Sequence, residues 1–241
     1  MYGRVMEHTS GSFVLKPGPL RIVLLTVTFV ICAAVFLFLA ATLIMIDVDS
    51  VLARFALVLG ALVLVALAVF FLLLLRTNIV RVEVGPERFK LRMPRVRGPV
   101  PLLGSIKADL PYSAVASVET REEVYSTFGL VTEQRAYSVV TRDGVRLPLG
   151  TMVENWSAPL QLRFDQVAAR IAERAGTSVV ERGAVMVGGT VRAIIHDAPP
   201  WSTEAMAAPE SEAWHQRAIL SVQLIAVLGL AVALLRACAG S

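Results

Sequence analysis

At 241 residues, 56% of them hydrophobic, and with a mean hydropathy of +0.66, the chain is too apolar for a soluble globular protein, in which about half the residues are apolar. The excess belongs in lipid. A formal charge of +4 suits a nucleic-acid binder, but Lys and Arg also gather on the cytoplasmic side of membrane spans, so no nucleic-acid partner is expected. Cys32 and Cys238 form no zinc or disulfide spacing.

Residues 1–21 read as a cytoplasmic N-terminal tail and residues 22–75 as a transmembrane helical hairpin. The run from Ile22 to Ile46 carries no charged side chain, and its roughly 25 residues cross a ~30 Å hydrocarbon core with some tilt. A signal peptide's apolar region is about half as long. Phe55 to Leu75 forms the second span, and Asp47-Val48-Asp49-Ser50 between the two is long enough only for a tight turn. Arg54, close to that turn, is expected to snorkel to water or to pair with Asp47 or Asp49.

A third transmembrane helix is read over residues 218–235, bracketed by Arg217 and Arg236, with Trp214 as an interfacial aromatic and Gln223 bonding another helix. Arg4, Lys16 and Arg21 precede the first span, and Arg76, Arg81, Arg88, Lys90, Arg92, Arg95 and Arg97 follow the second, while the turn between them is acidic. The basic residues therefore place the N-terminus and the main domain in the cytoplasm of a multi-pass inner-membrane protein, with residues 236–241 as an external tail.

After the second span the pattern changes to alternation, the strand signal. Val80, Val82 and Val84 alternate with Arg81 and Glu83, and after a Gly85-Pro86 turn Phe89, Leu91 and Met93 alternate with Arg88, Lys90 and Arg92. This predicts an antiparallel pair with one apolar and one basic face. A Pro- and Gly-rich loop follows over 94–104, then strands over 105–109, 114–123, 124–131 and 134–141, and an Asp143-Gly144 hairpin into Val145, Leu147 and Leu149. A helix then begins near an Ser157 cap and Pro159, aligns Leu160, Phe164, Val167, Ile171 and Ala175 on one face, and stops at Gly176.

Seven strands followed by an amphipathic helix, together with the segment Asp109-Leu110-Pro111-Tyr112-Ser113-Ala114-Val115-Ala116-Ser117-Val118-Glu119, resemble the bacterial pleckstrin-homology-like domain membrane proteins. The resemblance covers about 22–176 and implies an α+β membrane protein, whose antiparallel β-barrel or sandwich, residues 76–176, carries a C-terminal capping helix. It brings no catalytic residues. Residues 177–217 read as a connector packed on the domain or the membrane surface.

His8, His196 and His215 lie at no metal-ligand spacing, His196-Asp197 faces no nucleophile placed by the sequence, and Glu122-Glu123 read as a solvated strand end. No cofactor, no metal and no enzyme activity are expected. The expected role is a membrane-tethered binding or scaffold module for protein or anionic-lipid partners, with Arg88, Lys90, Arg92, Arg95 and Arg97 as the contact surface. The alternative is an accessory subunit or assembly factor of a larger membrane complex.

Overall fold

The computed structural model describes residues 6–8, 12–97, 100–127, 129–153, 161–189 and 199–239. It comprises two compact units: Met1–Gly85 with Lys90–Val96 and Val100–Asp109, and Pro86–Phe89 with Arg97–Pro99 and Leu110–Ser241. The class is α+β, with two β-sheets and two helices long and apolar enough to cross a membrane.

In the first unit, α1 (Pro19–Met45) and α2 (Val51–Leu74) form the expected hairpin. Pro19 occupies the first turn, where its missing N–H leaves no bond unmade, and Ser50 caps α2 by accepting from the Ala53 amide at 3.4 Å. The seam is built from buried Ala33, Ala40, Ala61 and Ala68. Within each helix the two alanines stand one heptad apart, so they return to the partner every two turns and let the backbones approach. Phe71 packs against Phe29 and Phe36, with centroids 6.0 and 5.6 Å away. Only 6% and 11% of the most apolar windows of the two helices are buried, which is not the pattern of a soluble core helix. At the turn, Arg54 pairs with Asp47 at 2.8 Å, as a helix-end Arg is expected to do.

Five strands form one sheet in the order β1 (Met6–His8), β2 (Ser12–Leu15), β3 (Arg81–Val84), β4 (Arg88–Arg97), β5 (Val100–Pro111). The first 21 residues are thus more than a tail. Phe13 and Leu15 register with Val84 and Val82 across the β2–β3 pair, and all four are buried. Four residues are too short a window for alternation to stand out. The short link from Gly85 to Glu87 permits only an antiparallel β3–β4 pair. The expected 94–104 loop is mostly strand, since β4 continues to Arg97 and β5 begins at Val100.

In the second unit the sheet order is β8 (Arg146–Val153), β7 (Leu130–Thr141), β6 (Val115–Thr127), β9 (Val179–Gly188). The strands read over 114–123 and 124–131 are one strand, β6, followed by a turn at Gly129 and the antiparallel β7. The Asp143-Gly144 turn is where the sequence puts it, with Thr141 donating to the Val145 carbonyl at 2.9 Å. α3 (Phe164–Ala175) buries Phe164, Val167, Ala168, Ile171 and Ala172 and ends on Gly176 in the left-handed conformation. Ser157, Pro159 and Leu160, read as the start of the helix, lie outside the described residues, and α3 begins at Phe164. The far end of the Phe164 ring sits against β8, where a Cβ on Gly150 would stand 2.5 Å from it.

Two expectations are corrected here. The helix is not terminal: the chain passes through it into β9, which pairs parallel with β6, so the sheet is not purely antiparallel. A parallel return needs a crossover, and α3 supplies one. The span read as a connector over 177–217 therefore contains a sheet strand. It also contains the start of α4 (Ala208–Ala239), a single helix that runs through the expected third span. Trp214, read as an interfacial aromatic, packs with Val124, Val131 and Ala218 on the sheet, and the Arg217 guanidinium lies 4.5 Å from its ring centroid. Ser221 Oγ accepts from the Val131 amide at 2.9 Å.

Candidate functional site

The basic strand is formed as its alternation predicts. Phe89, Leu91 and Met93 are 0%, 2% and 3% exposed, while Arg88, Lys90 and Arg92 between them are exposed, because successive side chains of a strand point to opposite faces. Pro94 is buried, so the alternation slips there. Arg95 consequently reaches the surface at the strand end with the parity of the core residues, its stem beside Gly104. The Arg97 side chain lies outside the described residues. On the first unit's part of this sheet face, Arg81, Lys90, Arg92 and Lys107 stand against two carboxylates, Glu83 and Asp109. Lys90 is 4.0 Å from Asp109, both exposed, and such a pair contributes at most about 1 kcal/mol. The face remains net basic.

A second cluster of charges has the opposite character. Glu119, Arg121 and Glu123 take alternate positions on β6 and therefore share one sheet face, opposite the face on which α3 covers Gly150. All three are buried, at 2%, 2% and 6% exposed. Arg121 donates from Nε and Nη2 to Glu123 Oε1 at 2.9 and 2.7 Å, and the Tyr125 hydroxyl donates to Oε2 at 2.7 Å. Its Nη1 donates to the carbonyls of Pro199 and Pro200 at 2.8 and 3.1 Å. The Trp201 ring lies 4.5 Å from the Arg121 guanidinium and 4.4 Å from that of Arg146. Arg146 donates to Glu119 at 2.7 Å and to Ser138 at 2.8 Å, and Arg182 of β9 donates to Glu119 at 2.6 Å.

The electrostatics agree with the geometry. Burial alone would raise the Glu119 carboxyl, but the hydrogen bonds from Arg182 and Arg146 outweigh it and hold its pKa below the usual carboxylate value. Burial, and then the neighbouring Glu123 carboxylate, push the Tyr125 phenol well above its ordinary range. The cluster binds the segment Pro199-Pro200-Trp201 to the sheet. Chemically it is a lock, since each carboxylate is held by a guanidinium.

Glu122 and Glu123 are therefore not a solvated strand end. Glu123 is buried in the lock, and half-buried Glu122 accepts from Arg135 at 2.6 Å. The sequence signal was present as charged residues alternating with Val118 and Val124, but that pattern also describes a face in water. What covers it is a Pro-Pro-Trp segment with no periodicity of its own. Of the histidines, His215 on α4 has Nδ1 2.7 Å from Glu133 Oε2; His196 and Asp197 lie outside the described residues.

Comparison with protein-family models, with curated proteins and with solved structures yields no match to this chain.

Proposed function

We propose that the chain is a membrane-tethered, non-enzymatic scaffold module whose pleckstrin-homology-like region presents the basic face of β4 to the anionic headgroups of the cytoplasmic leaflet. In this reading α4 supplies a third membrane crossing with its C-terminal half, and the N-terminus and sheets are cytoplasmic. The strand succession β3 to β8 followed by α3 supports the pleckstrin-homology-like layout, to which β1, β2 and β9 are additions.

The observation that carries the proposal is the exposure of Lys90 and Arg92 on a strand whose intervening residues are fully buried. Only a 3-10 turn, Leu75–Ile79, and one short strand separate α2 from this face, which tethers it close to the bilayer. Each basic residue near an anionic surface contributes about 1 kcal/mol within a Debye length.

Lysine footprinting of the full chain in nanodiscs tests this. The reactivity of Lys90 and Lys107 toward an aqueous amine reagent should fall several-fold in anionic discs relative to neutral ones, and salt should restore it. In Lys90→Glu/Arg92→Glu the reactivity of Lys107 should no longer depend on the lipid. Equal reactivity in both discs would refute lipid contact and turn the search to a protein partner.

A further inference from the structure

We propose that Arg21, at the start of α1, and Arg76, just past the end of α2, bind a phosphate oxyanion at the base of the helical hairpin, and that its source is the phosphodiester of a membrane lipid. This rests on the membrane embedding of the hairpin and is separate from the basic strand.

The helices are antiparallel, so the first turn of α1 and the 3-10 turn Leu75–Ile79 that follows α2 lie at the same end of the hairpin. Asn78 of that turn ties it to α1 by donating to Thr26 Oγ1 at 3.4 Å, and Arg76 Nη2 donates to the Gly104 carbonyl at 2.7 Å. Four polar atoms here are enclosed without a hydrogen-bond partner: Nε and Nη1 of Arg21, Nε of Arg76 and Oδ1 of Asn78. An enclosed guanidinium nitrogen with no acceptor is costly.

The local sequence supplies no counter-charge. No Asp or Glu occurs from Thr9 to Ile46 or from Ser50 to Val82, and the first turn of α1 holds no acidic residue. The N-terminus of α1 adds to the positive field: Gly18 provides no side-chain cap, and the first intrahelical bond is Ile22 N–H to the Gly18 carbonyl. The Leu20 and Arg21 amides precede that bond and have no intrahelical acceptor. Two planar forks and a helix N-terminus suit a tetrahedral oxyanion.

Position selects the source. Arg21 and Arg76 each adjoin the end of an apolar run, the level at which lipid phosphates lie. Arg21, Arg76 and Asn78 are half-buried as residues, so each side chain also reaches the surface beside its enclosed atoms. The unmatched Asn78 Oδ1 needs a donor, and a glycerol headgroup carries hydroxyls whereas a choline headgroup carries none.

Thermal unfolding of the full chain in neutral detergent tests the proposal, with phosphatidylglycerol, phosphatidylcholine and inorganic phosphate as probes. At a hundredfold excess over Kd, phosphatidylglycerol should raise the melting temperature by roughly 5–10 °C, and the other two should raise it far less. Arg21→Gln removes an enclosed, unpartnered charge, so without lipid it should melt no lower than the natural chain, while its response to phosphatidylglycerol should be at least halved. Arg21→Lys, which keeps the charge but loses the fork, should respond less than the natural chain. Equal responses of Arg21→Gln and the natural chain, or a lower lipid-free melting point for that variant, overturn the site. An equal shift with inorganic phosphate overturns the lipid source. Lys90→Glu/Arg92→Glu should keep the shift; its loss there would assign the lipid contact to the strand and not to the hairpin.

Discussion

β4 and β6 are built from the same material, arginine and other charged residues alternating with valines, leucines and aromatics, yet their charges have opposite fates. On β4 the charged side chains are all basic, and Arg88, Lys90, Arg92 and Arg95 are exposed. On β6 Glu119, Arg121 and Glu123 are of both signs, buried and interlocked. Alternation fixes which residues share a face, whereas the sign pattern decides what that face can do. A face of one sign repels itself and is suited to an external partner of opposite charge, while a face of mixed sign can compensate itself and be covered by its own chain.

The largest effect is expected from breaking that compensation. Arg121→Met leaves Glu123 buried with only the Tyr125 hydroxyl and frees the Pro199 and Pro200 carbonyls, and removing one member of a buried ion pair costs about 3–5 kcal/mol. Thermal unfolding in detergent should show a drop of roughly 6–20 °C. The double variant Arg121→Met/Glu123→Leu should recover part of the loss, because no uncompensated charge remains. A drop within about 1 °C for Arg121→Met would place this pair with the exposed surface pairs and erase the distinction between the two faces.

A smaller effect is expected at the covering segment. Trp201 lies against two guanidiniums, and a desolvated cation–π contact contributes about 2 kcal/mol against about 0.5–1 at an exposed site. Trp201→Ala should therefore cost more than Trp201→Phe, which retains a ring face. Proteolysis should cut the 199–207 segment faster in Trp201→Ala. Unchanged cleavage would show that the Arg121 bonds to the proline carbonyls hold the segment by themselves.

These two strands also show what the sequence makes legible. The helical hairpin, the β4 face, the Asp143-Gly144 turn and the Gly176 stop follow from patterns contained in a few neighbouring residues. β2 escaped because its alternation spans only four residues. β9 escaped because Arg182 and Gly183 interrupt its apolar run, and its place in the sheet depends on pairing with β6 across the α3 crossover. The lock was hidden for a related reason: Arg121 meets Pro199 across 78 residues, and nothing near either position announces the other. The packing of Trp214 against Val124 and Val131 was hidden in the same way, because the strands it meets lie far from it in sequence.

The smallest effect is expected where α4 meets the sheet, at a pair intermediate between the two faces. The Glu133 side chain is 6% exposed and that of His215 38%. The hydrogen bond to Glu133 raises the His215 pKa above its model-peptide value; burial opposes the rise, and the charges of Glu133, Glu212 and Glu122 support it. A histidine whose folded pKa exceeds the unfolded value of about 6.5 stabilises fully below that pH, and the contribution disappears as pH rises through the folded pKa. The melting temperature of the natural chain, corrected for its general pH dependence, should thus decline as pH is raised above about 6.5. His215→Gln can still donate to Glu133 but does not titrate, so the decline should flatten. Solvent screening at the more exposed partner keeps the change to a few degrees at most. Fluorescence of Trp214, which packs one residue away against Val124 and Val131, locates the transition at this contact if its midpoint moves with pH in the natural chain and not in His215→Gln. Identical pH profiles for the two proteins would mean that the carboxylate accepts its hydrogen bond equally well from a neutral ring, and that α4 is held by Ala218, Ser221 and Trp214 alone.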